Sequence, residues 1–145
     1  MRFLLDTDAA SYIIKRHPPE FLERLRQIPP TQVCLSAVTR AELLYGLKRL
    51  PQSHRLHQVV QAFLDLAQVL PWPASAADWY ADIRHQLTTE GQPIGNMDMM
   101  IAAHALAIGA TLVTNNARHY SRIRAPLVLE NWANNPASLS SPNQR

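Results

Sequence analysis

The sequence has one cysteine and no long hydrophobic run. Cys34 has no partner for an internal disulfide, and a single thiol counts against a metal site built on thiolates. No stretch reaches the roughly 18 apolar residues that a membrane span requires. The N-terminus also lacks the basic and apolar regions of a signal peptide. These absences argue against a disulfide scaffold and a membrane protein, and we expect a cytoplasmic protein.

The composition is that of one globular domain. The chain has 145 residues, of which 47% are hydrophobic, enough for a single core. We expect the domain to span residues 1–132 and residues 133–145, which are rich in Asn, Ser and Pro, to form a disordered tail. A net charge of +3 favours a polyanionic partner, although many ordinary domains are equally basic.

Short apolar runs alternate with segments of helical periodicity along the chain. Helical patterns separate strand candidates at residues 3–5, 32–36, 69–70, 110–114 and 127–129. Such alternation predicts an α/β fold in which right-handed crossovers place helices on both faces of a parallel sheet.

Three acidic residues lie where strands end or helices begin. Asp6 follows the first strand, and Glu42 and Asp98 fall in the first turns of later helices. Because the carboxyl ends of parallel strands line one crevice, we expect these carboxylates to converge. Carboxylates held close together repel unless a divalent cation compensates their charge. A cluster of oxygen ligands suits Mg²⁺ or Mn²⁺ better than zinc.

Structural roles compete with this interpretation. Asp8 is the expected N-cap of the first helix, which leaves Asp6 without a capping role. Thr39 and Glu42 have the spacing of a capping box, and spacing alone favours capping for Glu42. Asp98 could simply stabilise a helix dipole.

The helix that contains Asp98 is nearly all small or apolar, so we expect it to be buried against the sheet. Asn96 is its predicted N-cap, and His104 is expected to be packed rather than catalytic. Further on, Asn116 could cap the turn over residues 117–120, and a role in the site is equally open.

Four segments together carry a family pattern. They are LLDTD at residues 4–8, SAVTRAELLYG at 36–46, PIGNMD at 93–98 with IAAHA at 101–105, and LVTNN at 112–116. In this order and spacing they resemble PIN-domain ribonucleases, most closely the VapC toxins of VapBC toxin-antitoxin pairs. The resemblance covers about residues 2–132.

The resemblance implies a magnesium- or manganese-dependent endoribonuclease with a three-layer α/β/α fold and a central parallel sheet of about five strands. Asp6, Glu42 and Asp98 match the family's metal-binding acids, which reverses the capping interpretation of Glu42. The fourth acidic position falls on Asn115 or Asn116, so a second metal ion would be weakly held or arrive with RNA. Asn116 could still act as a weak ligand.

Neighbouring residues match supporting positions of the family. Asp8 stands where VapC toxins usually have asparagine, and it adds a negative charge beside the site. Residues that could support the acids or contact phosphate are Thr7, Thr39, Thr114 and Asn115. Residues that could bind RNA phosphates are Lys48, Arg49, Arg84 and Arg118, although for each one a solvated surface charge is the favoured interpretation.

The resemblance also implies protein partners. VapC toxins dimerise, and a VapB antitoxin silences them by laying its C-terminal segment in a groove and obstructing the acidic site. The apolar helices predicted at residues 20–28 and 54–66 could supply that groove. No membrane partner is expected.

Two alternatives remain open at this point. The strand followed by Asp6 and Asp8 also resembles the start of haloacid-dehalogenase phosphatases, but that family needs a late lysine and a late acidic pair. The lysines here are the early Lys15 and Lys48. The other alternative is a catalytically silent PIN-like protein that binds RNA or a partner.

Overall fold

A parallel sheet runs through the computed structural model, which describes residues 1–133. Its strands are β1 (Phe3–Leu5), β2 (Val33–Ser36), β3 (Val69–Leu70), β4 (Thr111–Val113) and β5 (Leu129–Glu130). They pair in parallel in the order β3-β2-β1-β4-β5. The predicted parallel sheet of about five strands is confirmed. Most of the predicted tail, from residue 134 onward, lies outside the described residues.

Helices connect the strands and cover the sheet. They are α1 (Thr7–Lys15), α2 (Pro19–Arg26), α3 (Ala37–Lys48), α4 (Leu56–Leu66), α5 (Ala74–Thr89), α6 (Asn96–Ile108) and α7 (Ala117–Tyr120). None of the helices within residues 1–133 has the length and apolar character needed to cross a membrane.

The sheet separates two hydrophobic cores. Successive strand side chains point to opposite faces, so Leu4 and Cys34 contribute to one core while Leu5 and Leu35 contribute to the other. Helices α5 and α6 cover the first face, and α1 to α4 cover the second. Both faces are therefore buried, as the continuous apolar strands require. Cys34 is buried as a small hydrophobic residue.

The first strand occupies the centre of the sheet. One neighbour, β2, follows it directly in the chain, whereas the other neighbour, β4, comes much later. The chain runs outward from β1 through β2 to β3 and then crosses back to β4 on the other side of β1, and a crevice opens outside the carboxyl ends of the strands at such a reversal. Asp6 is the residue at this end, and its N–H donates to the Val113 carbonyl at 3.0 Å.

Some element ends differ from the sequence prediction. Ser36, the last residue of β2, caps α3, so the capping box that spacing alone favoured at Thr39 does not form. Because α3 begins at Ala37, Glu42 lies in its second turn, and the prediction of the first turn is wrong. The cap of α6 is Gly95, not Asn96, because Asn96 already has helical geometry. The last strand begins at Leu129 and not at Leu127 as predicted. The Leu127 N–H donates to the Ala125 carbonyl in a turn, so Leu127 is not part of the strand.

Ser36 also links α3 to α6. Its hydroxyl oxygen accepts from the Val38 N–H at 3.0 Å and lies 2.8 Å from Nδ1 of His104. Both side chains are completely buried. Burial lowers the pKa of His104, so its ring is neutral. His104 is thus packed, as expected, and it joins the helix that carries Asp98 to the start of the helix that carries Glu42.

We predict that Ser36→Ala lowers the free energy of unfolding by about 1–3 kcal/mol, because it removes a helix cap and leaves His104 Nδ1 without its partner. Urea denaturation measures the change. The control is Ser75→Ala at the exposed start of α5, which should alter stability by less than about 0.5 kcal/mol. Equal effects of the two substitutions would contradict this account.

Candidate active site

Asp6 lies at the carboxyl end of β1 and is 4% exposed. Its carboxylate accepts a hydrogen bond from the Ala9 N–H at 2.8 Å and thereby caps α1. The prediction that Asp8 is the cap is wrong, because the strand passes into the helix without a linker and the helix starts at Thr7. Asp8 is exposed in the first turn. Asp6 therefore combines a capping role with its place in the crevice.

The environment of Asp6 disfavours its ionised form. Burial raises the pKa of Asp6 from 3.8 to about 6, and the charges of Asp8 and Asp98 add to this rise. Hydrogen bonding from the Thr114 hydroxyl and the Ala9 N–H opposes it. The contacts of the Asp6 carboxylate only partly compensate its negative charge, and a bound cation would compensate the rest.

Glu42 is held against the first helix. It lies half-buried on α3, and its carboxylate accepts a hydrogen bond from the Thr7 hydroxyl at 2.5 Å. Thr7 directly follows Asp6, so the hydrogen bond between Thr7 and Glu42 links Glu42 to the end of β1, where Asp6 lies. The role of Thr7 in supporting a metal site stays a prediction.

Asp98 lies in the first turn of α6, half-buried. Burial raises its pKa, and the charge of Asp8 adds to the rise, whereas the Tyr120 hydroxyl and His119 oppose it. The charge of Asp98 also helps to raise the pKa of Asp6, so the two carboxyl groups interact electrostatically. Convergence of all three acids on one ion stays a prediction.

Tyr120 is a site residue that sequence reasoning missed. It ends α7 and is 1% exposed, and the charges of Asp6, Asp98 and Glu42 all help to raise its pKa above the ordinary value. Burial is the largest cause of that rise. The one signal in the sequence is an aromatic residue within the polar segment that follows β4.

The polar residues that follow β4 make contacts on two sides, with Thr114 beside Asp6 and Asn115 bonded to Asn131. Thr114 is buried beside Asp6, and its hydroxyl oxygen accepts from the Asn116 N–H at 2.8 Å. The Asn116 amide nitrogen lies 2.7 Å from Nδ1 of His119, and no side-chain bond caps α7. Asn115 accepts from Asn131 at 3.0 Å. Of the two asparagines, Asn115 is therefore held toward the end of β5.

The remaining candidates are spread over the molecule. Thr39 is fully buried, and its hydroxyl has no hydrogen-bond partner among residues 1–133. The predicted phosphate-binding residues are all exposed, and within the described chain none of them forms an ion pair; they are Lys48, Arg49, Arg84 and Arg118. Their exposure fits either a solvated charge or a contact with a polyanion.

The oxygen donors of the candidate site are of the kind that a hard divalent cation prefers, although they do not surround a single point. Within residues 1–133, no three His, Cys, Asp or Glu side chains are arranged as a ready metal cage. Mg²⁺ does not need such a cage, because it usually binds one or two carboxylates and keeps several waters. The oxygen donors and the charge deficit at Asp6 suit this mode of binding.

Comparison with known proteins identifies the family. The model of the PIN domain matches residues 3–125. The chain belongs to the PIN-domain family. This result confirms the resemblance carried by the four sequence segments and removes the phosphatase alternative.

Relatives of this PIN domain match over nearly their whole length. Ribonuclease VapC2 of Rickettsia felis is 34% identical over 133 residues, which cover 91% of this chain and 98% of the relative. The tRNA(fMet)-specific endonuclease VapC of Shigella flexneri is 35% identical, with 92% and 99% covered.

Solved structures of VapBC complexes share the fold. DNA-bound VapBC from Salmonella typhimurium gives a TM-score of 0.82 at 35% identity and covers 91% of this chain and 98% of the other. VapBC2 from Rickettsia felis, bound to a promoter DNA fragment, gives 0.81 at 33% identity, with 91% and 99% covered. These similarities confirm the three-layer α/β/α arrangement.

We predict that Asp6 makes the metal-free PIN domain less stable as the pH rises. The folded protein holds the Asp6 proton up to about pH 6, whereas the unfolded chain releases it near pH 3.8. The folded state is therefore favoured at low pH, and its advantage falls between about pH 4 and pH 6 by up to about 3 kcal/mol.

Asp6→Asn isolates this effect, because asparagine retains the capping ability and carries no charge. In chelator at pH 7 the variant should be more stable than the wild type, and at pH 3.5 the two should converge. Urea denaturation across this range measures the difference. Parallel stability curves for the two proteins would contradict the prediction.

Proposed function

We propose that this PIN domain is a Mg²⁺- or Mn²⁺-dependent endoribonuclease that hydrolyses RNA phosphodiester bonds and is neutralised by a VapB-type antitoxin. The observation that carries the proposal is a group of acids at the carboxyl end of the sheet, centred on the buried Asp6, in a chain similar over its whole domain to VapC ribonucleases.

The cation would be held by Asp6 and Asp98, with Glu42 as a third acid and Asn116 as a weak additional ligand. A bound divalent ion lowers the pKa of a coordinated water from about 15.7 toward neutrality and offsets the charge of a phosphate. No histidine base is then needed, which agrees with the complete burial of His104 against the Ser36 hydroxyl.

The chain's own residues set the geometry of this reaction. Asp6 is fixed by its cap bond to Ala9, and Glu42 by its bond to Thr7. Rigid anchoring of this kind keeps reacting groups in place and reduces the reorganisation that the reaction requires. Exposed basic side chains would hold the RNA backbone; Lys48, Arg49, Arg84 and Arg118 are the candidates.

We predict that the antitoxin-free protein cuts a total RNA pool into discrete fragments with Mg²⁺ or Mn²⁺ and not with chelator. Asp6→Asn and Asp98→Asn should each reduce the cleavage rate by about 100-fold or more, because even groups that only orient metal ligands contribute about 10- to 100-fold. Asp78→Asn, an exposed change on α5, is the matched control and should cut normally.

The outcomes separate the remaining alternatives. Cleavage that persists in chelator and in both site variants would contradict the proposal and point to a contaminating nuclease. RNA that binds without being cut, equally well in wild type and Asp6→Asn, would favour a catalytically silent PIN-like binder.

We propose that the antitoxin binds in an apolar hollow of about 280 Å³. It lies between α2 and α4, beside β2, and its walls include Ile13, Leu25, Ile28, Phe63 and Leu66. Leu66 is 91% exposed at its edge, which is unfavourable for a large apolar side chain without a partner. The solved relatives are complexes of VapC with VapB, so a VapB segment is the occupant that we infer.

Similarity to the VapC proteins also leads us to infer that this chain forms a homodimer. Light scattering on the purified protein would test this oligomeric state. Deletion of the antitoxin's C-terminal segment should release nuclease activity if that segment fills the hollow and obstructs the acids.

We predict that Leu66→Asp weakens binding of the cognate antitoxin by about tenfold or more, because it places a charge where an apolar contact forms. Calorimetric titration measures the affinity. Cleavage by the antitoxin-free variant should be unchanged, since Leu66 lies outside the acidic site. The control is Val128→Asp, which changes an exposed apolar residue elsewhere. An unaltered affinity for Leu66→Asp would show that the antitoxin lies on another surface.

A further inference from the structure

The hydroxyl of Tyr120 is buried without a partner. The side chain is 1% exposed, and among residues 1–133 no atom forms a hydrogen bond of normal geometry with its oxygen. An unpaired buried hydroxyl is costly, and few such groups persist in folded proteins. The aromatic ring alone would serve the hydrophobic core in which it lies, so the oxygen requires a separate explanation.

The surroundings of this hydroxyl are acidic. The Asp98 carboxyl lies close enough to act on its ionisation directly, and the charges of Asp6 and Glu42 also reach it. A tyrosine hydroxyl is protonated at neutral pH, so it is available as a hydrogen-bond donor. A donor at this position has a suitable acceptor in a carboxylate.

The Asp98 carboxyl can reach the Tyr120 hydroxyl by a small side-chain rotation. The terminal torsion of an aspartate is broad, so rotation of the carboxyl brings one oxygen toward a neighbouring donor at small cost. A hydrogen bond to an ionised acceptor is also stronger than one between neutral groups. Asp8 and His119 are the other ionisable groups that act on Asp98.

We propose that Tyr120 is a positioning residue, whose hydroxyl donates to one oxygen of Asp98 and leaves the other oxygen free for the divalent cation. The inference rests on the proposed role of Asp98 as a metal ligand. Donors that orient carboxylate ligands fix the direction of the lone pairs that the metal uses, and their loss weakens metal binding by about 10- to 100-fold.

Tyr120→Phe removes only the oxygen and tests the proposal. With calorimetry in the absence of RNA, the variant should bind Mn²⁺ about tenfold more weakly than the wild type. Tyr12→Phe is the matched control, because Tyr12 packs against Phe21 on the opposite face of the sheet. It should bind Mn²⁺ as the wild type does. Equal Mn²⁺ affinity for Tyr120→Phe and the wild type would overturn the proposal.

Thermal unfolding in chelator at pH 8 gives a second, independent readout. If the hydroxyl donates to Asp98, Tyr120→Phe should lower the melting temperature, and this loss should disappear when Asp98→Ala is also present. If the hydroxyl is only an unpaired core atom, Tyr120→Phe should raise the melting temperature in both backgrounds, and the proposal would be wrong.

The two failures remain distinguishable. A wild-type protein that binds no Mn²⁺ would overturn the proposed nuclease function. The unfolding comparison needs neither metal nor RNA, so it would still decide whether Tyr120 and Asp98 form a pair.

Discussion

Burial of the Asp6 carboxyl is the constraint on which the site depends. A carboxylate removed from water must be compensated, and the Ala9 N–H and the Thr114 hydroxyl do so only in part, since the pKa stays near 6. Neighbouring acids increase the deficit. A cation bound beside Asp6 would therefore offset a larger cost than at an exposed cluster, and without one the folded chain loses stability as Asp6 ionises.

The rest of the fold holds the acids in place. Asp6 follows the central strand, Glu42 lies on α3 and Asp98 on α6, so three separate elements must keep their relative positions. The buried bond between Ser36 and His104 joins the two helices, and Thr7 joins Glu42 to the first helix. Rigid elements that are linked internally position a site more accurately than mobile loops do.

Sequence alone predicted the fold because short apolar strands and periodic helices alternate along it. It singled out Asp6 by its position at a strand end, whereas the assignment of Glu42 depended on the family resemblance. It did not predict that Asp6 rather than Asp8 caps the first helix, because that depends on a strand joining a helix without a linker. Nor could it find Tyr120, whose hydroxyl meets the acids only through tertiary packing. The site assignments themselves stay predictions until they are measured.

The pairing of β1 with β4 has a consequence for synthesis. The central strand is synthesised before both of its neighbours, and one of them, β4, comes near the other end of the described chain. Pairing between distant segments forms late, because a long loop must close first. Asp6 and Thr114 can meet only after that closure. The surroundings of Asp6 therefore form late in synthesis, and the candidate site stays incomplete while most of the chain is being made.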